Sequence, residues 1–484
     1  MWSNVGLCIA AALLVTYITH WIIKHWSNPK CKNGVVLPPG SMGLPFIGET
    51  LSLIIPSYSL DLHPFIKTRI QRYGTIFRTS VAGRPVVVSA DPEFNNYVVA
   101  QEGRLVEIYY MDTFSKIFKQ EGDDETRTTS TGAVHRYIRG ITLTHFGSEK
   151  LKQTLLPQMQ ESVDKTLTAW STQPSVEVKY AASVMFLNFS AKKMFSYDAD
   201  TSPVDLGGRY SRIINGLMSF PLNIPGTAYH TCLKDQEKVT NMLREVVKDR
   251  RNSPERNQSD LLGQMVNDMD KEEFLSDDFI VHLVFGSLFA SFESVSAVVA
   301  LALHLLSHHP SALQELTAEH HEILSRKSRE NPSSSLTWDE YKSMTFTLQV
   351  INETLRLGNV APGLLRRALK DIEVQEKGFT IPAGWTIMVA NSALQLNPDN
   401  FENPTEFNPW RWKDLEQYVV AKNFKPFGGG TRQCAGAEYS RVFLCTFFHV
   451  LLTKYMWTKI KGGPISRNPV LGFGKGIHIK FSQQ

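Results

Sequence analysis

The sequence predicts a mainly α-helical protein with a small β part, carried on a single N-terminal membrane helix. Three observations point there. From Val5 to Ile23 the chain runs for 19 residues without Lys, Arg, Asp or Glu. Beyond about Ala90 apolar residues recur at helical spacing over most of the chain, including one almost uncharged stretch long enough to cross a domain. Only the segment between Tyr73 and Ala90 is strongly strand-like, with β-branched runs on either side of Ala82-Gly83.

Residues 1–34 read as the anchor and its basic flank. About 20 apolar residues suffice to cross a hydrocarbon core of roughly 30 Å as a helix. Lys24, Lys30 and Lys32 follow the apolar run and no acid precedes Glu49, which puts the rest of the chain on the cytosolic side. A cleavable signal peptide, the rival reading, would carry its cations ahead of the apolar run. Residues 35–48 form a hinge: "LPPGSMGLPFIG" (Leu37 to Gly48) has three prolines and three glycines, which stop the helix. Residues 49–484 form one large domain.

Within that domain the Tyr73–Ala90 segment predicts a hairpin, and loops are expected at Glu121–Ser130, Arg250–Asp260 and Ser325–Ser335. Ser276 is placed to cap a helix of 33 residues from Asp277 to His309, roughly 50 Å long at 1.5 Å per residue. It has almost no polar face, so it should cross the protein core. As a second membrane span it would put Glu293 at mid-membrane, where a carboxylate is expensive.

With 42% hydrophobic and 20% charged residues the chain can bury a substantial core. Its net charge of +4, from 51 basic and 47 acidic residues without a dense basic block, argues against nucleic-acid binding. Five cysteines without a CxxC pair argue against a disulfide framework or a zinc ribbon.

One cysteine stands apart. In "FKPFGGGTRQCAG" (Phe424 to Gly436), Phe427, Gly430, Arg432, Cys434 and Gly436 fit F-x-x-G-x-R-x-C-x-G, and an apolar helical pattern follows directly. A thiolate at a helix N-terminus is favoured by free N–H groups and the helix dipole, and glycines let backbone approach a flat ligand. Thiolate ligation of a haem iron is the natural hypothesis.

At these residues the chain resembles the cytochrome P450 family, the haem-thiolate monooxygenases. "INETLRLG" carries the family's E-x-x-R as Glu353 and Arg356, neighbours at i and i+3, and "FNPWRW" supplies Arg411, the arginine that joins them. The resemblance implies the P450 fold, heme b with Cys434 as its axial ligand, and Phe427, Gly436 and Ala290 against the cofactor. It places Arg139, Arg366 and Arg432 at the propionates, with His135 where the family usually has tryptophan and Arg367 as the neighbour that competes with Arg366. On the long helix, Ala290-Ser291-Phe292-Glu293-Ser294-Val295 matches [AG]-G-x-[DE]-T-[TS]. Glu293 and Ser294 are then the acid and alcohol that deliver protons to bound dioxygen, with serine in place of threonine. Gln395 stands where many relatives have histidine, and no chemistry is assigned to it.

The resemblance further implies O2 as co-substrate and electrons from a separate NADPH–cytochrome reductase, with cytochrome b5 as a second donor. Lys422, Lys425 and Arg441 are candidates for the docking face. The quoted segments look most like plant members that oxidise sterols, triterpenoids and brassinosteroids. Two reactions stay open within that group: ring hydroxylation of a triterpenoid or brassinosteroid precursor, and successive side-chain oxidations of a sterol ending in C–C cleavage to a pregnane. Ile108, Tyr109, Met111, Phe114, Phe285, Leu288, Phe289, Val360, Ala361 and Leu364 are the expected substrate wall. A hydroperoxide isomerase of the same fold would typically lack the acid–alcohol pair, and a non-catalytic haem-binding protein would form no product.

Overall fold

The computed structural model describes residues 12–22, 36–118, 132–252, 259–330, 335–468 and 470–484. Helices dominate, and among the described residues the strands gather into small sheets at the edges of the helical body.

The hairpin forms where its sequence places it. Ile76–Val81 pairs antiparallel with Arg84–Ser89, and Ala82 and Gly83 both have positive φ, 50° and 75°, as a two-residue turn that matches the strand twist requires. The sheet then grows by long-range pairing. Arg84–Ser89 lies parallel to Thr386–Val389, which pairs antiparallel with Leu364–Ala368, and that strand pairs antiparallel with Val106–Ile108. These partners are only three to five residues long.

The Pro/Gly stretch is laid along the hairpin. Arg78 N donates to the Pro39 carbonyl at 2.8 Å and Glu49 N to the Ser80 carbonyl at 2.8 Å. A Cβ on Gly48, whose φ is +65°, would stand 2.3 Å from the Ser80 carbonyl oxygen, so only glycine permits that approach. Within the expected anchor, Ala12–Ile22 is an apolar helix with exposed side chains. The remainder of Val5–Ile23, the basic flank and the Glu121–Ser130 loop lie outside the described residues.

The long helix runs from Asp277 to Leu306, and the Ser276 hydroxyl accepts from Phe279 N at 3.2 Å. It packs against the helices Val178–Phe195, Ala228–Asn252 and Thr345–Gly358, and its apolar side chains make up much of the main core. Helix Pro310–Glu330 takes in the first half of the expected Ser325–Ser335 loop. Its "SRKSRE" end is made largely of good helix formers, and Arg326 reaches Glu322 one turn back at 3.5 Å. Likewise, helix Ala228–Asn252 runs into the expected loop at Arg250. Arg250 reaches Asp260 at 2.9 Å, and Asp260 in turn caps Leu261–Asp268.

Candidate active site

The cysteine loop precedes helix Ala437–Lys454, with Gly436 in the N-cap position. Cys434 N donates to the Phe427 carbonyl at 2.9 Å, closing the loop on itself. Gly428 and Gly430 have φ of +71° and +65°, and a Cβ on Gly430 would lie 2.5 Å from the Val99 carbonyl oxygen. At Gly430, then, the close approach is to helix Pro92–Ala100 of the same chain. Surrounding protein pushes the Cys434 thiol above its usual value, and the Gly436 N–H, Arg139 and Arg441 pull it back. Arg139, on helix Gly132–Phe146, donates to the Gln433 carbonyl at 2.6 Å, beside the thiol.

Behind the loop sits a buried polar clamp. Glu353 and Arg356 are fully buried and joined by two hydrogen bonds, 2.9 and 2.8 Å. Arg411 adds a bond to Glu353 at 3.0 Å. Trp412 Nε1 donates to the same carboxylate at 3.0 Å, and Asn408 N at 3.0 Å. Arg356 also donates to the carbonyls of Gln395 and Pro404, at 2.9 and 2.7 Å. Gln395 acquires a task here: its amide donates to Asn359 at 2.6 Å, at the end of the E-x-x-R helix, and accepts from Lys425 N at 3.3 Å in the cysteine loop.

The cations converge on a residue the sequence reading passed over. Glu102, in the turn after helix Pro92–Ala100, lies 2.9 Å from Arg366 Nε and accepts from Arg432 Nε at 3.1 Å and from Ile108 N at 3.0 Å. Of the two adjacent arginines, Arg366 is the buried one, whereas Arg367 is exposed and pairs with Glu107 at 2.6 Å. Burial and the fields of Arg432 and Arg139 push His135 below its usual value, which makes it a neutral donor instead of a fourth cation.

On the long helix Ala290 and Ser294 have exposed side chains, midway along an otherwise buried apolar element. Ser294 donates to the Ala290 carbonyl at 3.2 Å. Glu293 does not bond Ser294. It is ion-paired with Lys179 of helix Val178–Phe195, because consecutive residues stand about 100° apart around a helix.

A cavity of about 450 Å³ lies between the long helix, helix Gly132–Phe146 and helix Asp112–Phe118. Tyr110, His135, Arg432 and Ala290 line it, together with the aromatic rings of Phe114, Phe118, Phe279 and Phe289. Phe114 and Phe289, both expected in the wall, meet edge to face at 6.5 Å. The other expected wall residues do not line it. Phe285 and Leu288 are wholly buried in the core, where Phe285 stacks on Tyr210 at 5.6 Å. Tyr109 turns to the Arg367 guanidinium at 5.9 Å, Leu364 rests against Gly428, and Val360 packs on the main core. Ile108 sits in the sheet opposite Arg366. Met111 is half-buried and Ala361 exposed, both outside this cavity. Phe118, Ile138, His282 and Ser287 are lining residues the sequence reading missed. Helical periodicity signals them only once the cavity-facing side of the long helix is known.

These residues suit a haem. Arg366, which is buried, and Arg432 both pair with Glu102, and this arginine cluster is where two propionates would find cationic partners. Cys434 would supply a soft thiolate donor two residues before the helix that follows Gly436, and Arg432 and Ala290 border one cavity. Of the proposed docking cations, Lys422 pairs with Glu93 at 3.0 Å, while Arg441 lies over the Phe427 ring at 4.7 Å.

Comparison with known proteins agrees. The family model for cytochrome P450 matches residues 38–476. The chain is 53% identical to cucurbitadienol 11-hydroxylase of Siraitia grosvenorii, covering 100% of this chain and 99% of that protein. It is 48% identical to beta-amyrin 16-alpha-hydroxylase of Maesa lanceolata, covering 100% of both. It is 34% identical to cholesterol 16,22-dihydroxylase of Trigonella foenum-graecum, covering 100% of this chain and 98% of that one. The solved structure of retinoic acid bound cyanobacterial CYP120A1 shares the fold, with a TM-score of 0.80 at 24% identity over 93% of this chain and 100% of that one.

Proposed function

Since the chain belongs to the cytochrome P450 family, we propose that it is a membrane-anchored monooxygenase that hydroxylates a sterol- or triterpenoid-type substrate. The observation that carries this reading is the apolar cavity shared by Ala290 of the long helix and Arg432 of the cysteine loop. The haem supplies dioxygen activation and C–H oxidation, in the overall balance substrate plus O2, two electrons and two protons to alcohol plus water.

The chain's own residues divide the remaining tasks. Cys434 holds the iron, with Phe427 and Gly436 closing the loop around it. Arg139, Arg366 and Arg432 take the propionates, and His135 donates to them as a neutral group. Glu293 and Ser294 hold and pass protons, the first after release from Lys179. Residues 5–23 anchor the domain in the endoplasmic reticulum membrane, residues 35–48 connect it, and residues 49–484 face the cytosol. An NADPH–cytochrome reductase, with cytochrome b5 as an auxiliary, docks near the cysteine loop.

The substrate reading rests on the wall chemistry and on the relatives. Phe114, Phe118, Phe279, Leu283 and Phe289 suit a large, rigid hydrocarbon, and the relatives are named for cucurbitadienol, beta-amyrin and cholesterol. A second reading, successive side-chain oxidations ending in C–C cleavage to a pregnane, draws support from the relative named as a cholesterol dihydroxylase. Co-expression with a plant reductase, feeding of cholesterol, cucurbitadienol and beta-amyrin, and mass spectrometry of the products test both. Product from none of the three sinks the substrate reading, and a pregnane from cholesterol selects the second. Thiolate ligation fails if Cys434→Ala keeps the thiolate-type band in the carbon monoxide difference spectrum of the reduced protein.

A further inference from the structure

The cavity has polar groups at both ends, and only one end faces the cysteine loop. At that end stand Arg432, His135 and Tyr110; at the other, among Phe279 and Leu283, stands His282. Its Nδ1 lies 2.7 Å from the Asp278 carbonyl oxygen one turn back. A carbonyl only accepts, so Nδ1 carries the hydrogen, and in that tautomer the ring's lone pair is on Nε2. Among the described residues no hydrogen-bond partner faces Nε2. The Asp278 carboxylate is engaged with Arg244 at 3.0 Å, and Ser287, the other polar group nearby, already donates to the Leu283 carbonyl at 2.8 Å. His282 therefore offers one acceptor at an end of the cavity where its neighbours Phe279 and Leu283 are apolar.

We propose that His282 accepts a hydrogen bond from a substrate hydroxyl and so positions the substrate end to end in the cavity, fixing which carbon is oxidised. This rests on the reading of the substrate as a sterol or triterpenoid alcohol. His282, Gly286 and Ala290 follow one another at four-residue intervals on the cavity face. Ala290 lies eight positions beyond His282, roughly 12 Å at 1.5 Å per residue. A fused-ring alcohol held by its hydroxyl at His282 must lie along the helix, so the carbon presented beside Ala290 belongs to the far rings or the side chain.

The test pairs each alcohol with its methyl ether: cholesterol and cucurbitadienol against their 3-O-methyl ethers, with binding read from the haem spectral shift of the full-length protein. The wild type should bind the alcohol about fivefold to tenfold more tightly than the ether, the size of one net hydrogen bond. His282→Leu should bring that ratio to about one and broaden the product distribution. His282→Gln, which keeps an acceptor, should restore most of the preference. If His282→Leu keeps both the ratio and a single product, the proposal falls while the substrate reading stands. If neither alcohol binds or is oxidised, the substrate reading falls and takes the proposal with it. Should His282→Leu lose its haem, equal wild-type affinity for alcohol and ether still overturns the role of His282.

Discussion

Glu102 shows how one side chain can govern a site without belonging to any motif. Its carboxylate is ion-paired with both Arg366 and Arg432, and its side chain is 4% exposed. Glu102→Gln should destabilise the haem-free protein by about 3–5 kcal/mol, because it removes the carboxylate paired with the buried Arg366 guanidinium. Haem propionates supply replacement anions, so the holoprotein should lose less. Thermal unfolding of both forms measures this, and equal losses would refute the role given to the propionates. Cys434, Arg432, Glu353 and Arg356 were legible in the sequence because chemistry fixes their spacing within a few residues. Glu102 was not, since a lone acid after a helix has no spacing to read. Gln395 was equally silent, as its amide bridges segments 36 and 30 positions away.

Helices bring these side chains together in ways that local pattern reveals only in part. The long helix was readable in start, length and burial, but its rotation was not. The expected wall residues Phe285 and Leu288 face the core, whereas Phe289 faces the cavity. A helix apolar on all sides leaves no moment from which to infer its orientation. The same rotation turns Glu293 towards Lys179. If Glu293 passes protons after release from Lys179, Glu293→Gln should lower kcat about 10²-fold while leaving substrate binding and the haem spectrum unchanged. Steady-state turnover beside spectral titration separates the two effects, and an unchanged kcat removes Glu293 from proton delivery. For the E-x-x-R helix, Arg356→Lys would leave several of the carbonyl and carboxylate contacts of a fully buried guanidinium unmade. A loss of at least about 3 kcal/mol, seen as reduced haem content in cells, is expected.

Across the molecule a buried histidine pair links three of the central helices. His320 of Pro310–Glu330 meets His449 of Ala437–Lys454 at 3.2 Å and Thr347 of Thr345–Gly358 at 3.1 Å. Glu319 holds the N-terminus of that last helix through Phe346 N and Thr347 N, at 2.7 and 2.9 Å. Burial, with His449 and His321 nearby, pushes His320 down to about 3. In the unfolded chain it titrates near 6.5, so below that pH the unfolded state takes up a proton that the folded state refuses. Stability should therefore fall as pH drops from about 6.5 towards 3, by about 2 kcal/mol at pH 5 from this group alone. Thermal midpoints of the detergent-solubilised protein between pH 7 and 5 measure it. His320→Gln should flatten the slope, and an unchanged slope would exclude His320 as its source.

The sequence by itself determined the chemistry: a thiolate loop, a buried E-x-x-R helix and an N-terminal apolar segment are local patterns, set by spacings that one stretch of chain contains. Tertiary structure alone decided what those patterns face. It set Glu102 between two arginines, turned Glu293 to Lys179, and gave His282 a free acceptor at the far end of the cavity. The physical reason is that side-chain direction depends on how each helix is rotated against its neighbours. Packing fixes that rotation between segments far apart in the chain, and residue spacing within any one segment carries no record of it.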